Sequence, residues 1–243
     1  MAGASAERQE SGLVRKINSA VTKNKKNPIT LIAGKTKITS VIRASKYTGR
    51  QLGGSEPYTD VQIFRRMRGK EVPINLSMKG ESAPSLAGGG LKGIELAVPG
   101  LGSKFFKKAH KSLVEDFNSG DKIPDVYGKI SKQHKEKIVV GNKNMGGPID
   151  YMYIGPMTVT STYEAKKNIL KVNGKLHEAV EYAKSHDLYF RFRARREDQR
   201  FDPDAVDNHG VPKIYGKSPS RGDSAGRLVV TDKVPSTGRV IRL

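Results

Sequence analysis

Two side chains in the first third of this chain have types and positions that could act together on a phosphodiester. Asp60 is a lone acid in the strand-forming segment YTDVQIF (58–64), and Lys79 ends the alternating segment VPINLSMK (72–79). A carboxylate oxygen is the kind of ligand that Mg²⁺ prefers. A bound metal polarises a phosphate and lowers the pKa of water, as phosphodiester hydrolysis requires. The pair raises the hypothesis that the chain cuts nucleic acid rather than only binding it.

The two segments are predicted to form a hairpin that brings these groups to one face. Side chains alternate between the two faces of a strand, so Asp60 lies opposite the apolar side chains of its own strand. In the second strand Asn75, Ser77 and Lys79 share the polar face. The connection RRMRGKE (65–71) contains glycine and is short enough for a tight turn. We therefore expect Asp60 and Lys79 side by side.

Helices are predicted on both sides of this hairpin in the sequence. Apolar residues such as Leu13 and Ile17 recur at helical spacing and predict a helix over 5–24. A second apolar stripe, rich in phenylalanine, predicts a helix over 103–118. Further strands are expected at 29–33, within 122–131 and 136–159, over 188–196, and near 213–216 and 227–232; a helix is expected over 174–185, and a short helix or a strand over 38–44.

The order helix, strand, strand with an acid, strand ending in x-x-Lys and helix resembles the core of the PD-(D/E)xK nuclease superfamily, over roughly residues 5–118. That superfamily includes many restriction and homing endonucleases and phage recombination nucleases. The resemblance implies that Asp60 is the first acid and that Lys79 assists the attacking water or the scissile phosphate. It also implies a Mg²⁺ cofactor and an α/β fold, with a central mixed sheet flanked by helices.

The resemblance departs from the family pattern at one position. Ser77 stands where the pattern has a carboxylate, so the metal would have one negative ligand fewer. Family members can supply the missing acid from the first helix, which points to Glu10 as the third catalytic residue beside Asp60 and Lys79. The alternatives to Glu10 are Glu7 and Glu81. The implied metal ligands are Asp60, Glu10, the Ser77 hydroxyl and the Met78 carbonyl. Without a second acid near Asp60, the fold would survive as a binder that does not cut.

The charge of the chain favours a polyanionic partner. Lys and Arg number 44 against 24 Asp and Glu, for a formal net charge of +20. Neutralising phosphates with release of counterions drives nucleic-acid binding by such proteins. In YFRFRARREDQR (189–200) alternate arginines would form a row spaced like backbone phosphates, or else a charged edge strand. The expected nucleic-acid contacts are Arg65, Arg66, Arg68, Lys92, Lys107, Lys108, Arg191, Arg193, Arg195 and Arg196.

Composition excludes several other kinds of chemistry. Cys is absent, which removes disulfides, thiol catalysis and thiolate zinc sites. The five histidines lack the spacing of a zinc site. No apolar run approaches the ~18–20 residues of a membrane span, and the N-terminus has no signal-peptide core. We expect a protein of the host-cell cytoplasm, or of the virion, with no membrane partner.

These observations favour a bacteriophage DNA-binding protein with two parts, a nuclease-like core over 1–160 and a basic, strand-rich extension over 161–243. The extension ends in a Gly/Pro-rich tail and is expected to pack on the core. A structural protein of the virion is the alternative, because such tails commonly order only against a partner. A DNA binder without catalysis is a third reading. The sequence leaves open RNA as the ligand and a homodimer or larger assembly.

Overall fold

The computed structural model describes residues 2–50, 52, 57–81, 86, 90–119, 125–193, 199–206, 212–216 and 227–243. The helices of these residues are α1 (Ala2–Lys23), α2 (Gly90–Ala97), α3 (Leu101–Ser119), α4 (Lys132–Val140) and α5 (Ala179–Ser185). The strands are β1 (Ile29–Ala33), β2 (Thr36–Lys46), β3 (Val61–Met67), β4 (Lys70–Gly80), β5 (Val126–Lys129), β6 (Tyr151–Gly155), β7 (Ser161–Glu164), β8 (Ile169–Val172), β9 (Lys175–Glu178), β10 (Tyr189–Arg193), β11 (Gln199–Val206), β12 (Pro212–Gly216), β13 (Arg227–Thr231) and β14 (Arg239–Ile241).

The chain divides into two compact units, each built from two segments. Unit 1 comprises Met1–Pro84 and Val139–Tyr182, and unit 2 comprises Ser85–Ile138 and Ala183–Leu243. The boundary expected at residue 160 falls inside the second segment of unit 1. Within the described residues, no helix is long and apolar enough to cross a membrane.

Unit 1 is built on a mixed sheet of eight strands, which confirms the predicted α/β class. The strand order is β7-β8-β1-β2-β3-β4-β6-β9. Neighbouring strands run antiparallel, except that β1 is parallel to β8 and β4 is parallel to β6. The strands predicted at 29–33 and in the two segments around Asp60 and Lys79 are confirmed, and 38–44 is part of the strand β2.

Helix α1 covers one face of this sheet, as its apolar periodicity predicts. Leu13 and Ile17 are fully buried in one cluster with Ile63 and Leu76 from the central strands. Asn18 adds a polar anchor: its Nδ2 donates to the Ala44 carbonyl at 3.0 Å, and its Oδ1 accepts from the Ala44 N–H at 2.8 Å. These two bonds fix the helix to β2, beside the irregularity in the β2–β3 register.

The β3–β4 hairpin has the tight turn that its sequence predicts. Met67 lies opposite Lys70, so the turn consists of two residues, Arg68 and Gly69. Both have positive φ, 49° and 76°. Positive φ at both central positions is the type I′ geometry, whose twist matches that of the flanking strands. The hairpin register is thereby fixed along its length, from Met67 back to Val61.

Unit 2 contains a four-stranded sheet in the order β13-β10-β5-β14. The apolar face of β10 packs on α3, where Phe105 lies 5.4 Å from Phe190 and Phe106 lies 5.1 Å from Phe192, between ring centroids. Because β10 pairs with β13 on one side and β5 on the other, the alternative of an edge strand is wrong. The strands β11 and β12 form a separate pair.

Two sequence-based assignments are wrong. The run EKIVV, expected to be a strand, belongs to α4, where Ile138 and Val139 are fully buried. A short buried apolar run has no period that separates a strand from a helix. The helix expected over 174–185 begins only at Ala179, because 175–178 pairs with β6 as the strand β9. There, sheet pairing prevails over local helix propensity.

Candidate active site

Asp60 lies immediately before β3 and extends the ladder between β3 and β4. Its N–H donates to the Leu76 carbonyl at 2.8 Å. Its Oδ2 accepts from the Met78 N–H at 2.6 Å and from the Ser77 hydroxyl at 3.1 Å. The carboxylate therefore accepts from the Met78 N–H in place of a backbone carbonyl of a longer β3. Two donors from β4 hold it in one orientation at the end of the strand.

Lys79 lies on the same face of β4 as Ser77. Ser77 pairs with Met152 of β6, and Lys79 pairs with Ile154. Because one residue lies between Ser77 and Lys79, strand alternation directs both side chains to the same face. Lys79 is partly exposed, whereas Ser77 is buried. Within the described part of the chain, the Lys79 ammonium makes no hydrogen bond or ion pair.

The first turns of α1 are fixed to the same end of the sheet by Gln9. This side chain is 1% exposed. Its Nε2 donates to the carbonyls of Gly155 at 2.9 Å, Pro156 at 3.0 Å and Lys79 at 3.3 Å. Sequence reasoning missed Gln9, although it lies four residues before Leu13 and so on the buried stripe of the helix. Its three bonds set where the following residue, Glu10, meets the sheet.

Glu10 is the acid of α1 that interacts electrostatically with Asp60. Its Oε2 lies 3.1 Å from the Lys46 Nζ. Partial burial raises the pKa of Glu10, and the negative charges of Asp60 and Glu7 raise it further, against the hydrogen bond and charge of Lys46. Lys46 pairs with Val61, the residue after Asp60, so its contact with Glu10 brings this acid to the same end of the sheet as Asp60. The structure brings together Glu10, Asp60, Ser77 and the backbone of Lys79 at one end of unit 1.

The two alternative acids differ from Glu10 in their surroundings. Glu7 also contacts Lys46, at 3.5 Å, but its side chain is 72% exposed. Glu81 is exposed beyond the end of β4. Burial raises the pKa of Tyr153, and the negative charge of Glu81 raises it further. Asp150, a further acid nearby in the fold, accepts from the Asn75 N–H at 2.7 Å.

Lys46 is a second amine at this site, and sequence reasoning missed it. It ends β2 opposite Val61, the residue after Asp60. Burial acts to lower its pKa, but the hydrogen bond and charge of Glu10, together with Glu7, raise the pKa overall. The pairing of β2 with β3 is irregular between Val41 and Arg43. Simple alternation along β2 therefore does not give the orientation of Lys46.

The donor set suits a cation that keeps part of its hydration shell. Within the described residues, no three His, Asp or Glu side chains are grouped as a metal ligand set. Mg²⁺ is commonly bound by one or two carboxylates, with waters and substrate phosphates completing its octahedron. Asp60 and Glu10 could supply those two carboxylates, and a cation would offset the repulsion from Asp60, which adds to burial in raising the pKa of Glu10.

The predicted nucleic-acid contacts are distributed over both units. Arg66 and Arg68 are exposed on the β3–β4 hairpin of unit 1, and Arg65 is partly buried there. In unit 2, Arg191 forms a salt bridge with Asp125, so its guanidinium already has a carboxylate partner. The exposed lysines of α2 and α3 include Lys92, Lys107 and Lys108. The side chain of Arg193 and the residues Arg195 and Arg196 lie outside what the structure describes.

Replacing Lys46 by Met is expected to raise the pKa of Glu10 above its wild-type value. The ammonium lowers this pKa through both a hydrogen bond and its charge, and Met removes both while keeping a similar length. A titration of the Glu10 carboxyl carbon by NMR would measure the shift. Lys46→Arg is the control that retains a cation. An unchanged midpoint in Lys46→Met would contradict the pairing.

Comparison of the chain with protein-family models, with curated proteins and with solved structures finds no match.

Proposed function

We propose that this chain is a Mg²⁺-dependent nuclease of the PD-(D/E)xK type that hydrolyses phosphodiester bonds of DNA. The observation that carries the proposal is the position of Glu10 beside Asp60: the Glu10 carboxylate lies 3.1 Å from the Lys46 Nζ, and Lys46 pairs with Val61, the residue after Asp60. Two acids from separate elements, a helix and a hairpin, come together although their repulsion is unfavourable. A cation bound by both carboxylates would offset this repulsion, as expected at a functional site.

The proposed site compensates for the serine in the family motif. Ser77 is neutral and donates to Asp60, so it orients the carboxylate without adding a charge. Glu10 from α1 supplies the second negative charge. When bound, Mg²⁺ would polarise the scissile phosphate and lower the pKa of the attacking water.

Lys79 has the role of a cation that contacts the substrate. Its ammonium carries three N–H donors and no acceptor, and it lies on the face of β4 that carries Ser77. Lys79 is two residues beyond Ser77, whose hydroxyl donates to Asp60 at 3.1 Å. Lys79 would then stabilise the negative charge that builds up on the phosphate oxygens.

Nucleic acid is the substrate class that fits the charge of the chain. A formal charge of +20 gives strong, salt-dependent attraction to a polyanion. Exposed cations on the β3–β4 hairpin belong to the same unit as the proposed site. The substrate would therefore be attracted to the unit that carries out the chemistry.

The test is cleavage of supercoiled plasmid in Mg²⁺ or Mn²⁺, with EDTA as the metal-free control. Wild type is expected to nick or linearise the plasmid, and Lys79→Met to lose roughly 10²–10⁴-fold in rate, the usual cost of removing a positioned proton-transfer or charge-stabilising group. The matched variant is Lys166→Met, an exposed lysine of the same unit, which should cut like wild type. Cleavage that persists in EDTA, or that is equal in Lys79→Met, would overturn the proposal.

A further inference from the structure

The β3–β4 hairpin extends beyond the sheet that it belongs to. On one side, pairing with β2 ends where Val41 meets Arg65. On the other, pairing with β6 begins only where Tyr151 meets Leu76. Residues 66–71, which we call the ribbon, are therefore two-stranded, and no other described strand pairs with their outer edges. Every residue from 66 to 71 is exposed.

The ribbon carries cations on both of its faces. Strand alternation places Arg66 on one face and Lys70 on the other, with Arg68 in the turn. Glu71 is the one acid in its sequence, and it forms a salt bridge with Arg43. The Arg43 guanidinium in turn lies 3.4 Å from the centroid of the Phe64 ring. Arg43 thus neutralises the acid, and the charged side chains left at the tip are all cations.

A protruding, two-sided cationic ribbon matches a groove whose two walls are both lined with phosphates. The major groove of B-form DNA is ~12 Å wide and admits a two-stranded β-ribbon. The major groove of A-form RNA is deep and too narrow for side chains to read. Met67, 42% exposed at the tip, would add an apolar contact to base edges, such as a thymine methyl group. We propose that the ribbon enters the major groove of duplex DNA.

A ribbon whose strands run along the duplex axis would also set a distance along the duplex. Seven residues separate Asp60 from Met67 along β3, and a strand rises ~3.3 Å per residue, giving about 23 Å. At ~3.4 Å per base pair this is about seven base pairs. The duplex would be held about seven base pairs from the bond that is cut. This distance rests on the proposed function, whereas the binding of the ribbon does not.

The turn allows a variant that removes charge without disturbing the hairpin. Arg68 and Gly69 occupy the two central positions of a type I′ turn, for which Asn-Gly is the preferred pair. Arg68→Asn should therefore keep or strengthen the turn. Combined with Arg66→Gln, it removes two cations from the ribbon. The matched control is Lys35→Gln with Lys166→Gln, which removes two exposed cations elsewhere in unit 1.

The first experiment measures binding alone, by fluorescence anisotropy in EDTA on a duplex of about two helical turns. For the ribbon variant, the slope of log affinity against log salt should fall by about 1.8, or ~0.9 for each lost phosphate contact. The control variant should keep the wild-type slope. On double-stranded RNA of the same sequence, ribbon variant and control should behave alike. A slope change no larger than in the control, or an equal loss on RNA, would overturn the proposal.

The second experiment maps cuts on end-labelled duplexes in Mg²⁺. Wild type should cut rarely within about seven base pairs of an end, where the ribbon has no DNA to hold, and the ribbon variant should lose this restriction. An unchanged cut map would contradict the distance. If wild type never cuts, the nuclease proposal fails, and the anisotropy result still decides whether the ribbon binds DNA.

Discussion

Asp60→Asn is expected to lower the rate of Mg²⁺-dependent cleavage by on the order of 10³-fold or more. An amide carries no charge and is a weak ligand for Mg²⁺, so the site would keep a single carboxylate. Asn retains one side-chain oxygen, which can still accept from the Met78 N–H that Asp60 binds at 2.6 Å. The variant therefore removes the chemistry and leaves the hairpin intact. A gel assay of plasmid cleavage measures the loss.

Two controls separate chemistry from folding in this variant. Asp60→Asn should bind duplex DNA in EDTA as wild type does and should unfold at a similar temperature. Asp60→Ala should also lose stability, by about 1–3 kcal/mol, because it leaves the Met78 N–H and the Ser77 hydroxyl without their acceptor. Wild-type cleavage by a folded Asp60→Asn protein would remove this carboxylate from the mechanism.

Glu10→Gln is expected to abolish cleavage to a similar degree and yet to stabilise the metal-free fold. The pKa of Glu10 is raised in the folded state above its ordinary 4.5. A carboxyl with a raised pKa contributes stability fully below its ordinary pKa and loses it as pH rises through the folded value. At neutral and mildly alkaline pH, the ionised Glu10 therefore weakens the fold, and a neutral isostere relieves the cost.

Thermal unfolding with and without Mg²⁺ measures both halves of this prediction. Without metal, Glu10→Gln should unfold at a higher temperature than wild type at mildly alkaline pH, and the difference should vanish below pH 4.5. Saturating Mg²⁺ should stabilise wild type, by about 2.7 kcal/mol at 100 times the dissociation constant, but not the variant. Equal stabilisation of both proteins by Mg²⁺ would show that Glu10 is not a ligand.

Local patterns in the sequence predict much of unit 1. The apolar stripe through Leu13 and Ile17 predicts α1, and the alternation that ends at Lys79 predicts β4. Both patterns are long and belong to elements with one face in the core, which is where periodicity is most informative. The predictions for the EKIVV run and for 174–185 are wrong because the secondary structure of each segment depends on the elements against which it packs or pairs. That information is not local.

The site itself could be predicted only in part, for the same reason. Hairpin alternation predicts the meeting of Asp60 with Ser77. The choice of Glu10 over Glu7 depends on how α1 is positioned on the sheet, which Gln9 fixes through carbonyls of two strands distant in sequence. Lys46 is positioned by an irregular register in β2. Gln9 lies on the buried stripe of α1, but its carbonyl partners and the irregular register of β2 have no signature in the surrounding residues.

The most direct test of the central claim is a titration of the metal-free protein with Mn²⁺, followed by electron paramagnetic resonance. The two carboxylates, Asp60 and Glu10, are predicted to bind one ion together. Wild type should show one saturable site, and Asp60→Asn and Glu10→Gln should each weaken it strongly, with the double variant little worse than either. Saturable binding that both substitutions leave unchanged, or its absence in the wild type, would contradict the account.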